Sequence, residues 1–182
     1  MFLIPNLILI AVSIYIIARG IQAYRAFREA RLGLFAMGQI LFAFSLLVEG
    51  LAGATAAPGV FRLLAPFFLM SYQIMGVGLL LIAISVTPSA AFAVFLAAPR
   101  GPGAAYRLNV LVAVDAALAA YIGAVLLYRY IERRGNLLVP IAYFLLAGSL
   151  IAIHMYWVAV SLRALAGLFL AAGVTYAEAE KK

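Results

Sequence analysis

Along the chain, six long apolar runs alternate with short polar breaks. The runs cover about 2–20, 33–53, 60–86, 108–130, 137–155 and 158–176. Each is close to the ~20 residues that carry a helix across a hydrocarbon core. None alternates apolar and polar positions, so the strands of a membrane barrel are not expected. With no water in the bilayer core, backbone N–H and C=O groups must bond within the protein, and a helix achieves that locally. The pattern predicts an all-α polytopic membrane protein with six transmembrane helices.

The breaks divide the chain further. IQAYRAFREARLG carries Arg25, Arg28 and Arg31, GATAAPG (53–59) is a small-residue turn with Pro58, and YRYIERRGN (128–136) is charged and contains Gly135. PRGPGAAYR (99–107) combines two prolines, two glycines and two arginines and is the clearest interruption. Residues 1–87 read as a first three-helix unit, 88–107 as a linker with a short apolar helix near 88–98, 108–177 as a second three-helix unit and 178–182 as a polar tail. All belong to a single membrane domain, 1–182, because no polar stretch is long enough for a soluble one. The first residues are apolar at once, without a basic leader or an A-x-A cleavage site, so the first run is expected to stay as a helix.

The two units share a pattern. A shift of 104 residues aligns 23–50 with 127–154 without a gap, placing Tyr24-Arg25 on Tyr128-Arg129, Ala43 on Ala147, Ser45 on Ser149 and Leu46 on Leu150. Later, GLLLIAISV (78–86) matches GLFLAAGVT (167–175) at an offset of 89. This is the signature of an internal repeat, a construction used by transporters. It creates a conflict. Two three-helix units joined directly have opposite orientations, whereas the arginine-rich breaks 19–31 and 129–134 both belong in the cytoplasm. A seventh crossing by PSAAFAVFLAA (88–98) resolves it. Those eleven residues make only ~16 Å of helix, so a crossing requires the uncharged run 63–99 to split near Gly76-Val77-Gly78. Length favours a short interfacial or re-entrant helix; charge favours a seventh crossing. A three-one-three arrangement resembles SWEET-type sugar transporters in helix count alone, and no motif of that family is present.

Composition sharpens the class. Of 182 residues 68% are hydrophobic and 10% charged, which exceeds what a soluble domain of this size can bury. There is no cysteine and a single histidine, His154. That excludes disulfides, thiolate metal sites, iron–sulfur clusters and a haem held by two histidines of this chain. The net charge of +7 comes from arginines near the ends of apolar runs and two terminal lysines. Such charges orient helices and meet headgroups, so the expected partners are the lipid bilayer and other membrane protein subunits, with no nucleic acid.

Few residues can carry chemistry. Asp115 lies inside an apolar run, where a carboxylate is costly and functional by default. Counting from a hairpin tip near residue 134, Asp115 is nineteen residues before and His154 twenty after. In an antiparallel hairpin the two lie at one depth, so Asp115 and His154 form a candidate intramembrane polar pair. The alternatives for Asp115 are a structural hydrogen bond, a proton or substrate role, or an ion pair with another subunit; His154 has a further alternative, a cofactor owned by a partner. Glu49, near a run's end, is expected to reach headgroup water. Arg163 is expected to snorkel likewise. Gln39, Gln73 and Asn109 are expected to act as interhelical hydrogen-bond glue, with Glu49, Gln39 and Gln73 as secondary candidate sites. Gly76, Gly78 and Gly167 permit close helix approach, and Tyr156-Trp157 suit an interfacial belt. No phosphate-binding loop, HExxH or nucleophile elbow is present. No catalytic residue, cofactor or metal is expected, and the protein is not expected to be an enzyme. The leading expectation is a non-catalytic subunit within a larger membrane complex. The alternatives are a small-solute or proton-coupled transporter built on the repeat, with Asp115, Glu49 and Gln73 at its midplane, and a membrane sensor module.

Overall fold

The computed structural model describes residues 3–55, 61–87, 104–133 and 136–179. They form six helices: α1 (Leu3–Phe27), α2 (Ala30–Thr55), α3 (Phe61–Val86), α4 (Ala104–Arg133), α5 (Leu138–Ile151) and α6 (Tyr156–Ala179), with a 3₁₀ turn, Ala152–His154, after α5. Five are long and apolar enough to cross a membrane, and α5 with its turn makes a shorter apolar element, Leu138–His154. The chain is a multi-pass membrane protein.

Helix ends differ from the hydropathy pattern for a local reason. IQAYRAF continues α1, and YRYIER continues α4. Gln, Ala and Arg are good helix formers, and the ladder does not stop where the apolar run does. The first connection shrinks to Arg28 and Glu29. Arg28 takes φ 53 and its N–H bonds the Tyr24 carbonyl at 2.7 Å, closing α1 with a left-handed cap. Pro5 and Pro140 each stand at the third position of a helix, where a missing N–H costs no intrahelical bond.

The expected break at Gly76-Val77-Gly78 is absent: α3 runs through it. Packing explains the glycines. A methyl on Gly38 of α2 would sit 2.7 Å from the Gly78 carbonyl oxygen, and one on Gly78 would sit 2.9 Å from that of Gly38. The two backbones meet at a crossing that admits no side chain.

The helices close a ring. Each packs on its neighbours in the chain, and α6 returns to α1. Contacts fix their directions. Ser71 donates to the Ser45 carbonyl at 2.8 Å, so α2 and α3 are antiparallel. Between α3 and α4, Gly76 faces Asp115, Thr87 Oγ1 lies 3.1 Å from the Tyr121 hydroxyl, and Arg129 donates to the Val86 carbonyl at 2.6 Å. Positions ascend together, so α3 and α4 are parallel. By the same reasoning α6 is parallel to α1: Arg163 meets Asn6, Gly167 meets Ile8, and Gly173 shares a groove with Tyr15 and Arg19.

One end of the bundle therefore gathers the C-termini of α1, α3, α4 and α6 with the N-termini of α2 and α5. Arg25, Arg28, Arg31 and Arg129 of the two charged breaks belong to this end. Thr87 also lies there, whereas Ala104 begins at the opposite end. The candidate linker helix 88–98, the glycine–proline break 99–103, most of GATAAPG and Gly135 lie outside the described residues.

The interior is apolar over most of its length. Leu9, Leu46, Met75, Leu79, Ile82, Ile122, Leu146 and Leu150 are fully buried. The aligned positions Ser45 and Ser149 are both buried and each donates at 2.7 Å to a carbonyl three residues earlier, Phe42 and Leu146 respectively. Ala11, which the same shift sets opposite Asp115, is exposed, whereas Asp115 is buried.

Candidate functional site

Four helices contribute to one buried polar cluster. Glu49 of α2 and Arg163 of α6 form an ion pair at 2.6 Å, with side-chain exposures of 2% and 0%. The Glu49 carboxylate also accepts from Asn6 Nδ2 of α1 at 3.2 Å and from the Tyr72 hydroxyl of α3 at 2.9 Å. Asn6 in turn donates to the Leu46 carbonyl at 3.0 Å and accepts from Arg163 Nη1 at 3.1 Å. Both amide functions of Asn6 are thus used. Further hydrogen bonds offset the desolvation cost of a buried ion pair, and Asn6 and Tyr72 supply them to Glu49.

Glu49 and Arg163 were each expected to reach headgroup water, and neither does. The reason is partnership. Glu49 lies six residues before the end of α2, and Arg163 seven after the start of α6. Helix packing puts these depths at one level, so each side chain finds its opposite charge sooner than it finds solvent.

Asp115 has the contrary surroundings. It is fully buried, eleven residues into α4 and so ~16 Å deep by helical rise. Neither carboxyl oxygen has a hydrogen-bond partner among the described residues. Its Oδ1 fills the place where a side chain on Gly76 would be, 2.7 Å from an ideal Cβ. Gly76 thus makes room for the carboxyl without satisfying it. Tyr72, which bonds Glu49, and Gly76, which Asp115 meets, lie about one turn apart on α3, so the two carboxyl groups are neighbours.

The expected pair of Asp115 with His154 is not formed. His154 is exposed, at the end of the 3₁₀ turn, and lines an outer pocket of about 210 Å³ with Asn109, Val112 and Ala113. Equal counts from the hairpin tip assume two unbroken helices. The turn at 152–154 ends α5 early and leaves His154 on the outside beside Asn109 and Ala113, while Asp115 points toward α3. Asn109 is also exposed there.

Gln39 is buried and donates to the Tyr143 hydroxyl of α5 at 3.0 Å, as an interhelical bond of the expected kind. These residues stand in aligned positions under the 104-residue shift. Gln73, by contrast, is exposed and faces away from the bundle, so it neither joins helices within the chain nor lines an interior. Its place on the stripe of Met70 and Val77, both about half exposed, decides this. Sequence reasoning missed Asn6 and Tyr72. The available signal was an amide inside the first apolar run, where a polar group needs a partner.

Two spaces lie nearer the arginine-rich end, the first beside Gln39 and Tyr143. An interior cavity of about 210 Å³ touches all six helices. An open groove of about 620 Å³ lies beyond it, rimmed by Arg19, Gln22 and Asn136. Ile16, Phe35, Val139 and Val174 border both and separate them. Among the described residues no cluster of His, Cys, Asp and Glu is arranged to hold a metal.

No protein-family profile matches the chain, and no curated protein or solved structure matches it.

Proposed function

We propose that this chain conducts protons across the cell membrane through Asp115 down their electrochemical gradient and, when a small solute is bound, carries it with them or in exchange. The observation that carries this reading is the contrast between two neighbouring carboxyl groups. Glu49 has a cation, an amide and a phenol fixed around it; Asp115, fully buried at mid-depth, has no hydrogen-bond partner among the described residues. A carboxyl group kept in that state is a poor structural element, since burial without hydrogen bonds destabilises the fold. It is suited to gaining and losing a proton as the surroundings open to one side or the other. The nearby Arg163–Glu49 pair supplies a fixed charge background. The test is proton flux into vesicles carrying the wild-type chain or Asp115→Asn.

The architecture agrees with this role. Two three-helix units in the same orientation, related about an axis along the membrane normal, are one of the repeat constructions of transporters. The parallel α3–α4 and α1–α6 contacts and the Gln39–Tyr143 bond between α2 and α5 support such a repeat. On this reading both arginine-rich breaks face the cytoplasm, as the positive-inside bias expects. The absence of cysteine permits a direct check. Single cysteines placed by Glu29→Cys and Glu132→Cys are expected to react with an impermeant maleimide only after cells are permeabilised. Those placed by Ala54→Cys and His154→Cys are expected to react in intact cells. Labelling of Glu29→Cys and Glu132→Cys from opposite sides would contradict the parallel arrangement.

One observation favours the second reading, a subunit of a larger membrane assembly. Gln73 stands at the centre of α3 on its outward stripe, where an amide in hydrocarbon gains from a partner helix. If it serves as a contact, native mass spectrometry from mild detergent should find an assembly that Gln73→Leu reduces to single chains. Equal masses for both would remove this reading.

A further inference from the structure

We infer that the interior cavity is a binding site for a small neutral molecule with an apolar body and one group that both donates and accepts a hydrogen bond, such as an alcohol or a phenol. The cavity lies within the ring and is partly open, with Ile16, Gln39, Ile82, Leu126, Tyr143 and Leu170 as its walls from the six helices in turn. Apart from one pair, its lining is hydrocarbon. That pair is Gln39 and Tyr143, with exposures of 2% and 5%.

The bond between them leaves a defined remainder. Gln39 Nε2 donates to the Tyr143 hydroxyl. The carbonyl oxygen of the amide and the proton of the phenol then have no partner among the described residues. One acceptor and one donor, side by side in an apolar chamber, match a hydroxyl that gives one bond and takes one. They do not match a cation or an anion, because the cavity offers no charge and the cost of burying an unpaired ion is prohibitive. Size narrows the choice further. An apolar cavity of roughly 150 Å³ accommodates a benzene ring, so about 210 Å³ suits a ring bearing a small substituent.

The site also has a route to the surface. Ile16, Phe35, Val139 and Val174 line both this cavity and the groove at the arginine-rich end, so the two spaces are neighbours. The binding site stands on this geometry alone; that its occupant is the transported solute rests on the proposed transport role.

The test uses fluorine NMR on the full chain in lipid nanodiscs, with 4-fluorophenol and fluorobenzene as probes and empty nanodiscs as the reference for partition into lipid. A saturable, protein-dependent signal is expected for 4-fluorophenol. Its affinity should fall about tenfold in Gln39→Leu, the loss of a hydrogen bond worth roughly 1.4 kcal/mol at the upper part of the usual range, and fall likewise in Tyr143→Phe, which keeps the shape of the wall. Fluorobenzene should bind both variants at least as well as the wild type. No saturable signal for 4-fluorophenol, or equal affinity in wild type and both variants, would overturn the inference. Proton flux measured on the same preparations separates the two claims. Flux without binding removes this site alone; binding without flux leaves the site and removes proton transport.

Discussion

Arg163→Met is expected to destabilise the folded bundle by about 3–5 kcal/mol, the usual cost of removing one partner from a buried ion pair. The effect comes from what remains. Glu49 would keep Asn6 and Tyr72 but lose its cation at 2.6 Å while remaining buried. Exposed arginines of this chain, for example Arg25, should give a small fraction of that effect when replaced. The double variant Arg163→Met with Glu49→Gln is expected to recover most of the loss. No net charge stays behind, and the amide that replaces the carboxylate retains an acceptor for Tyr72. Denaturant unfolding in detergent micelles measures all three. A loss below about 1 kcal/mol for Arg163→Met would mean that Glu49 finds water or another donor, and that the cluster does not bind α1, α2, α3 and α6 together as described.

Much of the fold was legible in the pattern of apolar runs, because the demand for internal backbone bonding leaves a bilayer-spanning chain few options. Six runs became six helices. The ends were less legible. Hydropathy marks where the lipid ends, whereas α1 and α4 continue through Gln22, Arg25, Arg129 and Glu132 on helix propensity. The site was only partly legible. Asp115 stands out in any reading, since a lone carboxylate in an apolar run is conspicuous. Its surroundings depend on helix rotation, which a sequence with few polar positions does not determine. Equal depth placed His154 beside it; the early end of α5 and the rotation of α4 toward Gly76 separate them. Glu49 and Arg163 posed the opposite problem. Each lies near enough to a helix end to snorkel, and only the ring, which brings α2 and α6 into reach through Asn6 of α1, shows that they pair instead. Gln39 and Gln73 are chemically alike and differ in fate: one faces Tyr143 inside the ring, the other faces outward.

Asp115→Asn separates the proton role from stability. The amide has the same shape and cannot carry the charge. Asp115 has no hydrogen bond among the described residues to lose, so the variant should fold with stability equal to the wild type or slightly above it. The same unfolding measurement that detects Arg163→Met should therefore find Asp115→Asn unharmed. That makes any change in flux attributable to the carboxyl group.

The most direct measurement is the acidification of a pH-sensitive dye inside sealed proteoliposomes, driven by a potassium gradient and valinomycin. Vesicles with the wild-type chain should acidify faster than protein-free vesicles, Asp115→Asn should match the protein-free rate, and Asp115→Glu should retain part of the wild-type rate. Acidification by Asp115→Asn at the wild-type rate, or none by the wild type, would contradict proton passage through Asp115.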